Sequence, residues 1–193
     1  MKIGHVCAAL ALISSLALTA AVAQTRLDSN QIASSLRDVS QIGMTAAAIR
    51  QAALNNIREH PGENAVGRPL LFPKLEKQAQ FTIEITFNFN SAVIRPESYR
   101  AVGSMADALH NPILLGYKFL VVGHTDAVGN REYNLKLSQR RAEAIREALI
   151  NPFGVKPERL EAVGLGEEQL RDPRHPDSQI NRRVQLINIG KLK

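Results

Sequence analysis

Between Phe81 and Asn90 the chain alternates without a break. Phe81, Ile83, Ile85, Phe87 and Phe89 are apolar, and Thr82, Glu84, Thr86, Asn88 and Asn90 are polar. A period of two sends the two sets to opposite faces of an extended chain, so this stretch predicts a β-strand with one face buried. The pattern has no repeat upstream. A transmembrane β-barrel requires many such strands, which excludes that architecture here. The apolar face must instead be covered by other elements of one domain.

The downstream sequence supplies them. Arg95-Pro96-Glu97 puts proline at the first position of a helix, and Val102, Met105, Ala106 and Leu109 continue an inward stripe that Asn111-Pro112 ends. Residues 117–123 are almost wholly apolar, which predicts a strand buried on both faces in the middle of its sheet. Asn130 or Arg131 opens a long helix with the stripe Ser138, Ala142, Ile145 and Leu149, closed by Asn151-Pro152. Residues 159–164 and 183–189 predict two more strands, separated by a polar loop containing Pro173 and Pro176. The order is βαβαββ, an α/β fold with a mixed β-sheet and its helices on one face.

A short helical extension precedes this domain. Ile32, Leu36 and Val39, then Ala46, Ile49, Ala53 and Ile57, recur at helical steps, with Gly43 between the two groups and Thr45 placed to cap the second. The stripe is small and lacks flanking basic clusters, which favours packing on the domain or on a second copy over membrane insertion. Ahead of it, Lys2, the apolar run Cys7 to Val22 and the Ala21-Val22-Ala23 pattern read as a signal peptide cleaved before Gln24. The expected organisation is a signal peptide at 1–23, a helical region at 24–60, a proline-containing linker at 61–78 and a domain at 79–193. No membrane span is expected in the mature chain.

The single cysteine, Cys7, lies in that signal and lacks the context of a lipoprotein cleavage site, so thiolate chemistry and disulfides are excluded from the mature protein. The net charge of +6 suits polyanionic partners, and export argues against nucleic acid among them. The histidines are scattered without metal-ligand spacing, and no glycine loop is followed by the lysine of a phosphate-binding motif. No metal, cofactor or catalytic residue is expected.

The candidate site lies where the first two strands end and the second helix begins, the edge at which open α/β sheets bind ligands. Asn90 ends the first strand, and Thr125 and Asp126 follow the second. Asn134, Ser138 and Arg141 share one side of the long helix. A charge beside a core stripe needs a partner, so Asp126 and Arg141 either pair with each other or share a ligand. The residues alone leave both options open.

Five motifs in order, Asn88-Phe89-Asn90-Ser91-Ala92, Gly123-His124-Thr125-Asp126 with Gly129, Asn134 with Leu137-Ser138 and Arg141-Ala142, Gly164-Leu165-Gly166-Glu167, and Asn181-Arg182-Arg183-Val184, resemble the peptidoglycan-binding domain of the OmpA C-terminal family across about 110 residues. The resemblance implies non-covalent binding of the peptidoglycan stem peptide through diaminopimelate, in a protein of the periplasm associated with the wall and the outer membrane. It implies that Asp126 takes the ammonium and Arg141 the carboxylate of that residue. Asn134 and Leu137 match positions near the ligand, and Arg183 is included as the arginine of the last motif that approaches it. Asn90 departs from the aspartate frequent in the family and offers an oxygen without charge. A homodimer facing a repeating polymer would gain through effective concentration. The competing classes are a cell-wall hydrolase and, if the first segment is retained, a membrane-anchored stator-type subunit.

Overall fold

The structure is a computed structural model that describes residues 28–37, 43–63 and 68–192. The expected signal peptide and the cleavage position before Gln24 lie outside the described residues. Nine main elements follow in chain order: α1 (Ser29–Ser35), α2 (Ala46–Glu59), α3 (Pro73–Glu76), β1 (Gln80–Ile83), α4 (Tyr99–Leu109), β2 (Tyr117–His124), α5 (Arg131–Ile150), β3 (Leu160–Gly166) and β4 (Val184–Lys191). From β1 onward this is the expected βαβαββ order.

The four strands form one mixed sheet in the order β1-β4-β2-β3. The apolar β2 is central, antiparallel to β4 and parallel to β3, with Val121 opposite both Leu186 and Ala162. Its alternate residues serve two cores. Phe119 and Val121 face α4 and α5 through Val102, Met105, Leu109, Ala142, Ile145 and Leu149, and the α1 residues Ile32 and Leu36 join them. Leu120 and Val122 face the other way, into a second cluster with Val163, Leu165 and Ile187. A fully buried aliphatic side chain contributes about 1.5–3 kcal/mol, so neither face is left uncovered.

That second face explains the N-terminal region. Thr45 caps α2 by accepting from the Ala48 amide, and Ile49, Ala53 and Ile57 form a buried stripe against the sheet. The segment 61–78, which the sequence presents as an extended linker, contains α3, whose Leu75 and preceding Phe72 are buried on the same face. On the first face, the Leu36 carbonyl accepts from the Asn188 side-chain Nδ2 at 2.8 Å. The domain's own helices α4 and α5 thus share one face, and α2 and α3 cover the other.

The strand predicted to run to Asn90 ends at Ile83. Beyond it the chain leaves the sheet and folds back on itself: Phe87 bridges Ile94, the Asn88 amide donates to the Val93 carbonyl at 3.0 Å, and Asn90 sits at φ 53°. Asparagine tolerates that left-handed backbone better than a β-branched residue does. Phe89 at the tip is 99% exposed, so the last member of the alternating set buries nothing.

Candidate functional site

The long helix is positioned by close contact with the sheet. A Cβ on Gly123 would collide with the Ser138 carbonyl, and one on Gly164 with the Gln139 backbone nitrogen. Only glycine permits that approach. Ser138 Oγ then accepts from the Gly166 amide and Gln139 Oε1 from the Gly164 amide, both at 2.8 Å. Arg141 lies one turn further along the helix fixed this way.

Asp126 occupies the loop between β2 and α5. Its Oδ2 accepts from Arg182 Nη1 at 2.5 Å, while Oδ1 takes only a long bond of 3.3 Å from the Val128 amide. The side chain of Asp126 is 14% exposed and that of Arg182 44%. Arg141 is half-buried. Its Nε donates to the Ser91 carbonyl at 3.0 Å, and its guanidinium lies 4.8 Å from the centre of the Phe87 ring. Burial pushes Arg141 below its ordinary value, while the nearby Tyr133 and Asp126 pull it back up. Among the described residues no carboxylate comes within ion-pair distance of Arg141. The internal Asp126–Arg141 ion pair is therefore not formed.

The other predicted residues divide into supports and outsiders. Asn134 is buried, and its amide nitrogen donates to Glu167 Oε2 at 2.8 Å, Val128 O at 3.1 Å and Asp126 O at 3.4 Å. It stitches the Asp126 loop to α5. The Asn90 side-chain oxygen accepts from the Tyr133 hydroxyl and is not directed to solvent alone. Thr125 is buried, with its amide donating to Gly166 O at 2.9 Å and its hydroxyl without a partner among the described residues. Leu137 is 7% exposed and packs within the fold.

Arg183, expected to approach the ligand, is buried: its Nη2 donates to the Gln169 carbonyl at 3.1 Å and lies 3.8 Å from Glu76. Burial lowers its pKa to about 10, with Glu76 opposing that fall and Arg171 adding to it. Arg182 is the residue that reaches Asp126. Alternation shows that neighbours diverge, not which of them faces the core.

His124, next to the site in sequence, is buried with no hydrogen-bond partner for either ring nitrogen among the described residues. Among those residues there is also no grouping of three or more histidine, cysteine or acidic side chains able to hold a metal ion. One pairing escaped the sequence reading altogether. Arg131 donates to both oxygens of Glu168, and its Nη1 donates at 3.1 Å to the carbonyls of His60 and Glu63. This buried pair ties the end of the N-terminal region to the first turn of α5.

The family model of the OmpA family matches residues 86–183, and the chain belongs to that family. It is 35% identical over 115 residues to outer membrane porin F of Pseudomonas aeruginosa, a match covering 58% of this chain and 32% of that protein. It is 37% identical over 102 residues to the peptidoglycan-associated lipoprotein of the same organism, covering 52% of this chain and 58% of that one. The chain thus spans less than two thirds of each of these relatives. Among solved structures, the periplasmic domain of Helicobacter pylori MotB superposes with a TM-score of 0.50 at 20% identity, over 59% of this chain and 76% of that one, which shows a shared fold. Among the described residues no helix is long and apolar enough to cross a membrane.

Proposed function

We propose that this protein binds peptidoglycan non-covalently in the periplasm, gripping the diaminopimelate of the stem peptide, and helps to hold the cell envelope together. The reading is supported by the family and by relatives that include a peptidoglycan-associated lipoprotein. The observation that carries it is the half-buried Arg141 guanidinium, held by Ser91 and Phe87 but given no carboxylate among the described residues, near an Asp126 whose Oδ1 has, among those residues, only one long bond. In this reading a ligand carboxylate meets the guanidinium and a ligand ammonium meets Oδ1, which together recognise the free end of a zwitterionic amino acid.

Hydrogen bonds to charged groups contribute about 1.5–3 kcal/mol each, so one grip of this kind gives moderate affinity. Retention on a wall then comes from repetition of the ligand along the polymer, and a second copy of the chain would raise it further. Asn134 and the Asn90–Tyr133 contact act as supports that hold the Asp126 and Ser91 loops in place.

The test is sedimentation with intact diaminopimelate-type sacculi. The wild-type protein should pellet with the sacculi and release no soluble fragments. Asp126→Ala and Arg141→Ala should each stay in the supernatant at an unchanged melting temperature. Release of muropeptides by the wild type would instead identify a hydrolase.

A further inference from the structure

The grip at Asp126 and Arg141 leaves the most exposed apolar side chains unused. Among the described residues the three large hydrophobic side chains with the greatest exposure are Phe89 at 99%, Val128 at 62% and Val93 at 59%. All three lie on the two loops that frame the site. Phe89 and Val93 belong to the hairpin that holds Arg141, and Val128 follows Asp126 by two residues. Exposed apolar groups concentrated around a site mark contact with something larger than the end of one amino acid.

The hairpin holds the Phe89 ring out by its own bonding. The Ser91 amide donates to the Asn88 carbonyl at 3.1 Å and the Asn88 amide to the Val93 carbonyl at 3.0 Å, closing a tight turn with Phe89 and Asn90 at its centre. Two bonds anchor this turn to α5: the Tyr133 hydroxyl donates to the Asn90 side chain, and Arg141 Nε donates to the Ser91 carbonyl at 3.0 Å. Phe89 is two residues from the carbonyl that holds Arg141, no more than about 7 Å between Cα atoms. The bonds that position Arg141 therefore also keep the ring in solvent beside it.

The chemistry around the ring selects its occupant. Asn88, Asn90 and Ser91 flank Phe89 without charge, and both asparagines are exposed. An aromatic face bordered by neutral amides suits a sugar ring, whose C–H groups pack on the aromatic face while its hydroxyl and N-acetyl groups bond to amides. A bilayer would demand a wider apolar face with a basic rim. In peptidoglycan two residues and a lactyl group join diaminopimelate to its sugar, and two extended residues span about 7 Å. A stem held at Arg141 thus has the length to bring its glycan to Phe89.

We propose that Phe89 is a sugar-stacking residue, packing against an N-acetylated pyranose of the glycan whose stem peptide occupies Asp126 and Arg141. This inference rests on the proposed function and extends the ligand from the amino acid to the carbohydrate.

The test is calorimetric titration of the full chain with three ligands: meso-diaminopimelate, the sugar-free stem tripeptide ending in diaminopimelate, and the same tripeptide carried on its disaccharide. The disaccharide form should bind the wild type several-fold more tightly than the sugar-free tripeptide. Phe89→Ser should erase that gain while leaving the affinities for the two sugar-free ligands unchanged, and Phe89→Trp should keep it. Equal affinity of the wild type for the two tripeptides, a gain that survives Phe89→Ser, or a parallel loss of the sugar-free tripeptide in that variant would overturn the inference while the grip at Arg141 stands. Failure of all three ligands to bind the wild type would overturn the proposed function and this inference with it. Flotation of the wild type, but not of Phe89→Ser, with phosphatidylethanolamine–phosphatidylglycerol vesicles would assign the ring to a membrane and contradict the proposal.

Discussion

Asp126 is paired with Arg182, at 2.5 Å between Oδ2 and Nη1, and Arg141 stands near that pair with no carboxylate within ion-pair distance among the described residues. The pairing orients the Asp126 carboxylate, and in the proposed function Arg141 is the cationic group left for the ligand. It also sets a competition, because a ligand ammonium at Asp126 must share the carboxylate with Arg182.

Replacing Arg182 with glutamine tests that competition. A partly exposed ion pair contributes about 0–1 kcal/mol, so stability should change little. Affinity for diaminopimelate should rise several-fold when measured by calorimetry at low salt, and the gain should shrink as salt is added. A loss of affinity would mean that Arg182 contacts the ligand itself.

His124 makes stability depend on pH. Burial, reinforced by the Arg183 charge, lowers its pKa well below 6.5, while Gln185 opposes the shift. The folded protein keeps this ring neutral and the unfolded chain protonates it near 6.5. Its contribution is therefore whole above that value and is lost as pH falls from there toward the lowered folded value. The loss should approach about 1.4 kcal/mol per pH unit for one proton. Urea denaturation of His124→Leu across pH 7 to 5 should show a flatter profile than wild type, and an equal slope would assign the acid sensitivity elsewhere.

Much of this was legible in the sequence, for reasons that differ by element. The stripe Ser138, Ala142, Ile145 and Leu149 names the buried face of α5 because helical spacing leaves no second choice, and all four residues are buried. The run at 117–123 is apolar on both faces, and β2 is central. The period-two stretch overstates β1, since alternation records side-chain chemistry and not the turn at Asn90 that takes Phe87 and Phe89 off the sheet. Likewise, Arg182 and Arg183 are equivalent until β4 is registered against its neighbours. The Arg131–Glu168 pair spans 37 positions of sequence. Nothing local to either residue marks the other.

The close approach of α5 gives a steric prediction. A methyl group at Gly164 meets the Gln139 backbone, which cannot rotate away, so the helix itself must shift. Gly164→Ala should cost about 1–3 kcal/mol or more by chemical denaturation. It should also weaken sacculus binding, because Asn134 and Arg141 move with the helix. Wild-type stability in this variant would show that the contact between helix and sheet is looser than described.

The buried pair at the start of α5 predicts a contrast between single and double replacement. Arg131→Met strands the Glu168 carboxylate and should cost about 3–5 kcal/mol. It should also loosen residues 60–63, whose carbonyls Arg131 holds, to limited proteolysis. Arg131→Met with Glu168→Leu should recover most of the stability but not the protease resistance. Equal losses in the single and double variants would contradict the role given to the pair.

Calorimetric titration of the full chain with meso-diaminopimelate tests the central claim most directly. The account predicts saturable one-to-one binding that is abolished by Asp126→Ala, abolished by Arg141→Ala, and strongly reduced by Arg141→Lys, which keeps the charge but loses the two-pronged contact. Undetectable binding to the wild type, or affinity retained in Arg141→Ala, would contradict it.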